Sequence, residues 1–155
     1  GHQEIITNTE VQVMSAGTGI VHSESNPSMS ETTNLIQLWI FPDEQSHEPR
    51  YGQKDFGTPT INQWQLLVAP DRDDTLWIHQ DAYISKLVLE EGESITYDLN
   101  TEGNGLYVFV VEGAVQIGED VLDNRDTIGI IEADVVFFEA QEETYLIAIE
   151  VPMVW

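Results

Sequence analysis

The chain has 155 residues, 41% of them hydrophobic, which is enough for one substantial core or two small ones without covalent staples. It contains no cysteine, which excludes a disulfide framework, a zinc–thiolate site and a thiol nucleophile. Five Lys and Arg stand against 28 Asp and Glu, a net charge of −23, so the cations that direct nucleic-acid binding needs are missing.

Taken in chain order, short apolar or alternating runs recur: VQVM, NLIQLWIF, WQLLVA, TLWIHQ, AYISKLVL, LYVFVVEG, AVQIG, TIGII, DVVFFEA and TYLIAIEVPM. Val, Ile, Tyr and Phe dominate them, and Gly, Asn, Asp or Pro separates them, the pattern of an all-β sandwich or barrel. Residues 1–41 hold three or four such runs. The stretch FPDEQSHEPRYGQKDFGTPTINQ is polar, without periodicity and punctuated by Pro42, Pro49, Gly52, Gly57 and Pro59, so 42–63 reads as a connection. Residues 64–155 contain enough strands to close on themselves. Within them Gly113 breaks one strand, Gly118-Glu119-Asp120 turns into the next, and Asp123-Asn124-Arg125-Asp126 makes another turn.

The sheet of residues 1–41 would leave unpaired edges and a bare apolar face, which predicts a homo-oligomer or a separate segment that completes it. Trp39, Trp64, Trp77, Tyr83, Tyr107, Phe109, Phe137 and Phe138 read as packing residues, and Trp155 as a docking residue. The scattered acids read first as solubility and only second as a preference for a basic partner. No apolar run reaches membrane-spanning length and no signal peptide opens the chain, so a cytoplasmic protein without membrane association is expected. The opening Gly1-His2-Gln3, without methionine, suggests that residues were removed or that a tag left Gly1 behind.

Chemistry concentrates in MSAGTGIVHSESNPS, residues 14–28. On a strand, the side-chain period of two would put His22 and Glu24 on one face, where an imidazole nitrogen and a carboxylate oxygen converge. That donor pair suits a divalent first-row metal such as Fe, Mn, Ni or Cu. The small residues Ser15, Ala16, Gly17, Thr18 and Gly19 allow a tight turn and close backbone approach. Two ligands alone are a weak signal, and on the residues alone an ordinary surface or core histidine is the preferred reading. His2 and His47 lack a partner at ligand spacing and read as solvated. His79 either faces a pocket with Asp81 or is satisfied between the two β units, the second reading being preferred.

The run VQVMSAGTGIVHSESNPS followed by NLIQLWIFP resembles the second half of the N-terminal cupin of the pirin-like bicupins, and PRYGQKDF and LWIHQDAYI fit bacterial members of that family. The resemblance covers essentially the whole chain. It implies an all-β fold of double-stranded β-helix (cupin, jelly-roll) barrels, here one partial N-terminal barrel and one complete C-terminal cupin barrel. It implies that His22 and Glu24 are two of four protein ligands of a mononuclear metal, usually iron, with Ni, Cu, Mn or Zn as alternatives. The other two, a His-x-His pair on an earlier strand, are not in this sequence. Roughly the first third of the family's chain is absent, either lost or held as a separate fragment, and a site with half its ligands is easily left empty.

By the same resemblance the activity would be a quercetinase-type dioxygenase reaction on a flavonoid-like small molecule, impaired by the missing segment. The metal would polarise the substrate's enolate oxygens and Glu24 would serve as general base. Two other readings stay open: a metal-dependent regulatory or protein-binding module, and an inactive truncated remnant. In the C-terminal barrel Asp98 and Asn100 stand where a cupin's two histidines would be and Leu106 where its glutamate would be. That barrel therefore reads as metal-free.

Overall fold

A computed structural model describes residues 3–70 and 72–153. Among these residues there are eleven strands and no helix: β1 (Glu10–Ser15), β2 (Arg50–Asp55), β3 (Gln65–Val68), β4 (Tyr83–Leu89), β5 (Ser94–Asp98), β6 (Gly105–Glu112), β7 (Val115–Ile117), β8 (Asp120–Leu122), β9 (Thr127–Ile130), β10 (Val135–Ala140) and β11 (Thr144–Val151). No helix is long and apolar enough to cross a membrane. The all-β jelly roll expected from the sequence is what forms.

Nine of the strands build two antiparallel sheets, ordered β3-β4-β11-β6-β9 and β5-β10-β7-β8. The period of two in β4, β6 and β11 explains how they pack. Leu87 and Leu89, Leu106, Val108 and Val110, and Leu146 and Ala148 point one way, into a core shared with Tyr97, Val115, Ile117, Leu122, Val136 and Phe138 of the four-stranded sheet. Ile84, Val111, Ile147 and Ile149 point the other way, into a second core with Val13 of β1 and Leu67, Val68 and Leu76. The five-stranded sheet is thus covered on both faces, which is why β11 reads as a nearly unbroken apolar run. Trp64 seals the end of the first core. Its indole N–H donates to the Thr96 carbonyl at 2.9 Å and its ring meets Tyr97 and Phe138 edge-on.

The expected turns are in place. The hairpin between β7 and β8 turns at Gly118, and Asp126 closes the next turn by donating its backbone N–H to the Asp123 carbonyl at 2.9 Å. Gly113 lies at φ +89°, and a Cβ there would fall on the Glu143 carbonyl oxygen, so only glycine lets β6 end against the start of β11.

The first 63 residues depart further from expectation. Residues 1–41 contribute one described strand, β1, rather than three or four. The stretch read as a connection carries β2, which pairs with β1 over six residue pairs from Glu10↔Asp55 to Ser15↔Arg50. In β2, Arg-Tyr-Gly-Gln-Lys-Asp shows no apolar alternation. Its inward position opposite Val13 is Gly52, where a Cβ would press against Val13, Arg50 and Leu76 at 3.2–3.4 Å. The run NLIQLWIF has no strand partner among the described residues, and Leu35, Trp39 and Phe41 are 65%, 89% and 79% exposed. Trp39, Tyr107 and Phe137 are exposed rather than packing residues and Trp77 is 41% exposed while still stacked by Arg50, whereas Trp64 and Phe138 pack as expected. The readings of Gly1, His2 and Trp155 fall on residues outside the described ones.

A charge of −23 on a chain of this size pushes on itself. Raising NaCl from about 10 mM to about 0.5 M screens that repulsion and is expected to raise the melting temperature by roughly 3 °C or more. Calorimetry at matched pH checks this, and a flat or falling curve contradicts it.

Candidate metal centre

The sequence SAGTG folds as a tight turn that leaves β1. Gly17 sits at φ +51°, and Gly19 donates its N–H to the Ala16 carbonyl at 2.7 Å. Thr18 donates its N–H to the His47 carbonyl at 3.1 Å, and a Cβ on Gly17 would overlap that same carbonyl oxygen. The small residues thus serve the close backbone approach expected of them, and the backbone they approach is that of His47.

Beyond this turn, residues 16–49 carry no strand, so His22 and Glu24 do not stand on one as expected. A strand requires a neighbouring backbone, and none among the described residues pairs with 20–24. Both side chains are exposed. Glu24 is nevertheless held: its Oε1 accepts from the Gln12 side-chain amide at 2.8 Å. Gln12 lies on the outer face of the β1–β2 sheet, opposite Val13, where Gln53 in turn donates to Glu10 and to the Ile5 carbonyl, both at 2.9 Å. These hydrogen bonds hold the Glu10 carboxyl below its ordinary value, chiefly through the N–H of Thr7 and then through Gln53. His22 and Glu24 supply one nitrogen and one oxygen donor, and no third potential ligand joins them among the described residues.

A different set does come together. Asp43, His47 and His79 place one ligand atom each within 4.8 Å of one another. Asp43 Oδ1 lies 2.8 Å from His47 Nε2, and the His47 and His79 rings stack with centroids 3.8 Å apart and planes 6° from parallel. His47 is thus not the isolated, solvated histidine that its polar surroundings suggest. His79 lies in a bend rather than a strand and meets His47, not Asp81. Hydrogen bonding from His47 holds the Asp43 carboxyl below its ordinary value. Only the Asp43–His47 spacing is visible in the sequence, because His79 arrives from 32 positions further along the chain than His47.

The jelly roll carries a buried carboxylate. Glu150 is 0% exposed and accepts five hydrogen bonds. Its Oε2 receives the Tyr97 hydroxyl at 3.2 Å, the Asn100 N–H at 3.0 Å and the Asn100 side-chain amide at 2.7 Å. Its Oε1 receives the Thr101 N–H and the Asn104 side-chain amide, each at 2.9 Å. Burial first, and then the Glu150 charge, push the Tyr97 hydroxyl far above its ordinary value, so it stays a donor. Asn100 is committed to Glu150, Leu106 lies in the core at 1% exposure, and Asp98 faces solvent beside a depression of about 240 Å³ lined by Trp64, Ser85 and Tyr97.

Two facing antiparallel sheets around a shared core, with a smaller sheet packed on the outside, define a cupin-type β protein. A family model described as the quercetinase C-terminal cupin domain matches residues 66–151, and the pirin model matches residues 1–40. The quercetin 2,3-dioxygenase of Escherichia coli K12 is 34% identical over 155 residues, which is 99% of this chain and 66% of the relative. A putative quercetin 2,3-dioxygenase of Zymomonas mobilis is 34% identical over 152 residues, 96% of this chain and 64% of the relative. The crystal structure of the E. coli bacterial pirin YhhW in complex with nickel(II) superposes with a TM-score of 0.90 at 34% identity, covering 99% of this chain and 66% of that one. The chain belongs to the pirin family. It spans about two thirds of the length of these curated relatives.

Proposed function

We propose that the chain is the larger part of a metal-dependent dioxygenase of the quercetinase type, with His22 and Glu24 as two ligands of a divalent transition metal. The observation that carries this reading is the His-x-Glu pair itself. It lies in the segment matched by the pirin model, directly after the SAGTG turn, with Glu24 already oriented by Gln12. The names of the relatives, and the nickel in the E. coli pirin, support a flavonoid-like substrate and a divalent ion. A bound metal would supply Lewis-acid polarisation of the substrate's oxygens. Among the described residues His22 and Glu24 are the two donors assigned to it, and on this reading other polypeptide supplies the remaining two. The exposed Leu35, Trp39 and Phe41 support the same view, since they offer an apolar face for that polypeptide to cover.

The role of this chain's own residues follows from their chemistry. Glu24, held as an acceptor by the Gln12 amide, takes the hydroxyl proton of a phenolic substrate. His22, two positions away, contributes a neutral imidazole nitrogen. Quercetin consumption under O2, followed by absorbance after loading with Fe(II) or Ni(II), tests the reading. Turnover is expected only when polypeptide that supplies the other two donors is added, and Glu24→Gln is then expected to reduce it on the order of 100-fold or more. Equal rates in the parent, Glu24→Gln and His22→Gln proteins would exclude it.

A further inference from the structure

We propose a second metal site, formed by Asp43, His47 and His79, that clips the segment before β2 to the bend before β4. The donor set is two imidazole nitrogens and one carboxylate oxygen within 4.8 Å of one another, which suits Zn(II), Ni(II) or Co(II). The three residues come from two separate stretches of chain, and several backbone contacts fix where they stand. Asp43 donates its N–H to the His79 carbonyl at 2.8 Å, and Gln80 donates from its side chain to the Phe41 carbonyl at 3.1 Å. Thr18 holds the His47 carbonyl, and Arg50 donates to the Trp77 carbonyl at 2.8 Å while stacking on the Trp77 ring at 3.6 Å. The backbone is thus pinned at or beside each ligand, and little ordering is left for an ion to impose. Both imidazoles are half-buried, Asp43 is open to solvent, and the net charge of −23 on the whole chain draws cations in.

The stacked geometry also states what binding must change. Imidazole lone pairs lie in the ring plane, and an ion about 2.0–2.1 Å from a nitrogen on each ring must lie in both planes. Parallel rings 3.8 Å apart do not allow this, so one ring turns about its own side-chain bond when the ion enters. Trp77, whose ring meets His79 edge-on at 5.1 Å and 90°, reports that turn. The site is independent of the His22–Glu24 reading, and its test is run without that pair.

The experiment titrates ZnCl2, and separately NiCl2, into the folded chain carrying His22→Gln and Glu24→Gln, with isothermal calorimetry and tryptophan fluorescence as readouts. One ion per chain is expected, with a fluorescence change that disappears in Trp77→Phe while the heat persists. Adding His47→Gln or His79→Gln is expected to weaken binding at least about tenfold, about 1.4 kcal/mol, with melting temperatures of the metal-free proteins confirming that each variant is folded. Asp43→Asn provides a third variant at an exposed position. No saturable heat in the parent overturns the proposal. Undiminished affinity in folded His47→Gln and His79→Gln proteins overturns it equally, because it places the ion elsewhere on the chain.

Discussion

Glu150→Ala is expected to lower the stability of the protein by about 4 kcal/mol, the largest single effect among polar substitutions here. The carboxylate is sealed within the jelly roll and satisfies five donors, so truncation strands the Asn100 and Thr101 backbone N–H groups and the side-chain amides of Asn100 and Asn104. Bonds to a charged acceptor are each worth more than neutral ones, and buried donors left without water carry the full cost of their desolvation. Glu150→Gln keeps the shape but turns one acceptor oxygen into a donor facing other donors, and is expected to recover only part of the loss. Urea unfolding of the three proteins separates these outcomes. A loss under about 1 kcal/mol for the alanine variant would show that the loop 99–104 is held by something other than this carboxylate.

Gly17→Ala is expected to cost about 3 kcal/mol and to disturb His47 without touching it chemically. The left-handed backbone at φ +51° disfavours any side chain, and the added methyl would collide with a backbone carbonyl, which cannot rotate away as a flexible side chain could. The collision pushes residues 16–19 and 47 apart and breaks the Thr18 N–H to His47 carbonyl bond. Thermal melting gives the stability loss, and the histidine C–H resonances in proton NMR give the displacement of His47. A variant with wild-type stability and an unshifted His47 would refute this account of the turn. The control Gly19→Ala meets no atom at all, so its cost is expected to be the smaller, conformational one alone.

How much of this could be read from the sequence depends on how local each signal is. Strands in which apolar residues alternate or run on were legible, because β4, β6, β10 and β11 sit against cores that demand that pattern. β2 was not, since its inward position is a glycine and its other residues are polar. Its identity is set by the register with β1, a non-local fact. NLIQLWIF shows the reverse: it has the composition of a strand, but a strand exists only where a second backbone supplies hydrogen bonds. The SAGTG turn could be foreseen from residue size, although the atom it approaches could not. Glu150 was available in principle. It falls on the same parity as Leu146 and Ala148, which marks it as inward-facing, and an inward carboxylate must have partners. The stack of His47 on His79 had no such signal, because nothing in the chain between them encodes that the two imidazoles meet.

The position of β11 has a consequence for how the molecule comes into being. The last described strand in sequence is the middle strand of the five-stranded sheet, flanked by β4 and β6 and contributing to both cores. A nascent chain that has emerged only as far as residue 143 holds two half-sheets with a gap between them, and neither hydrophobic interior can shut. Folding must therefore wait until residues 144–151 leave the ribosome and slot into that gap, after which both interiors close together. Until then the strands on either side of the gap keep unpaired edges, and the like charges along the chain oppose edge-to-edge pairing between copies.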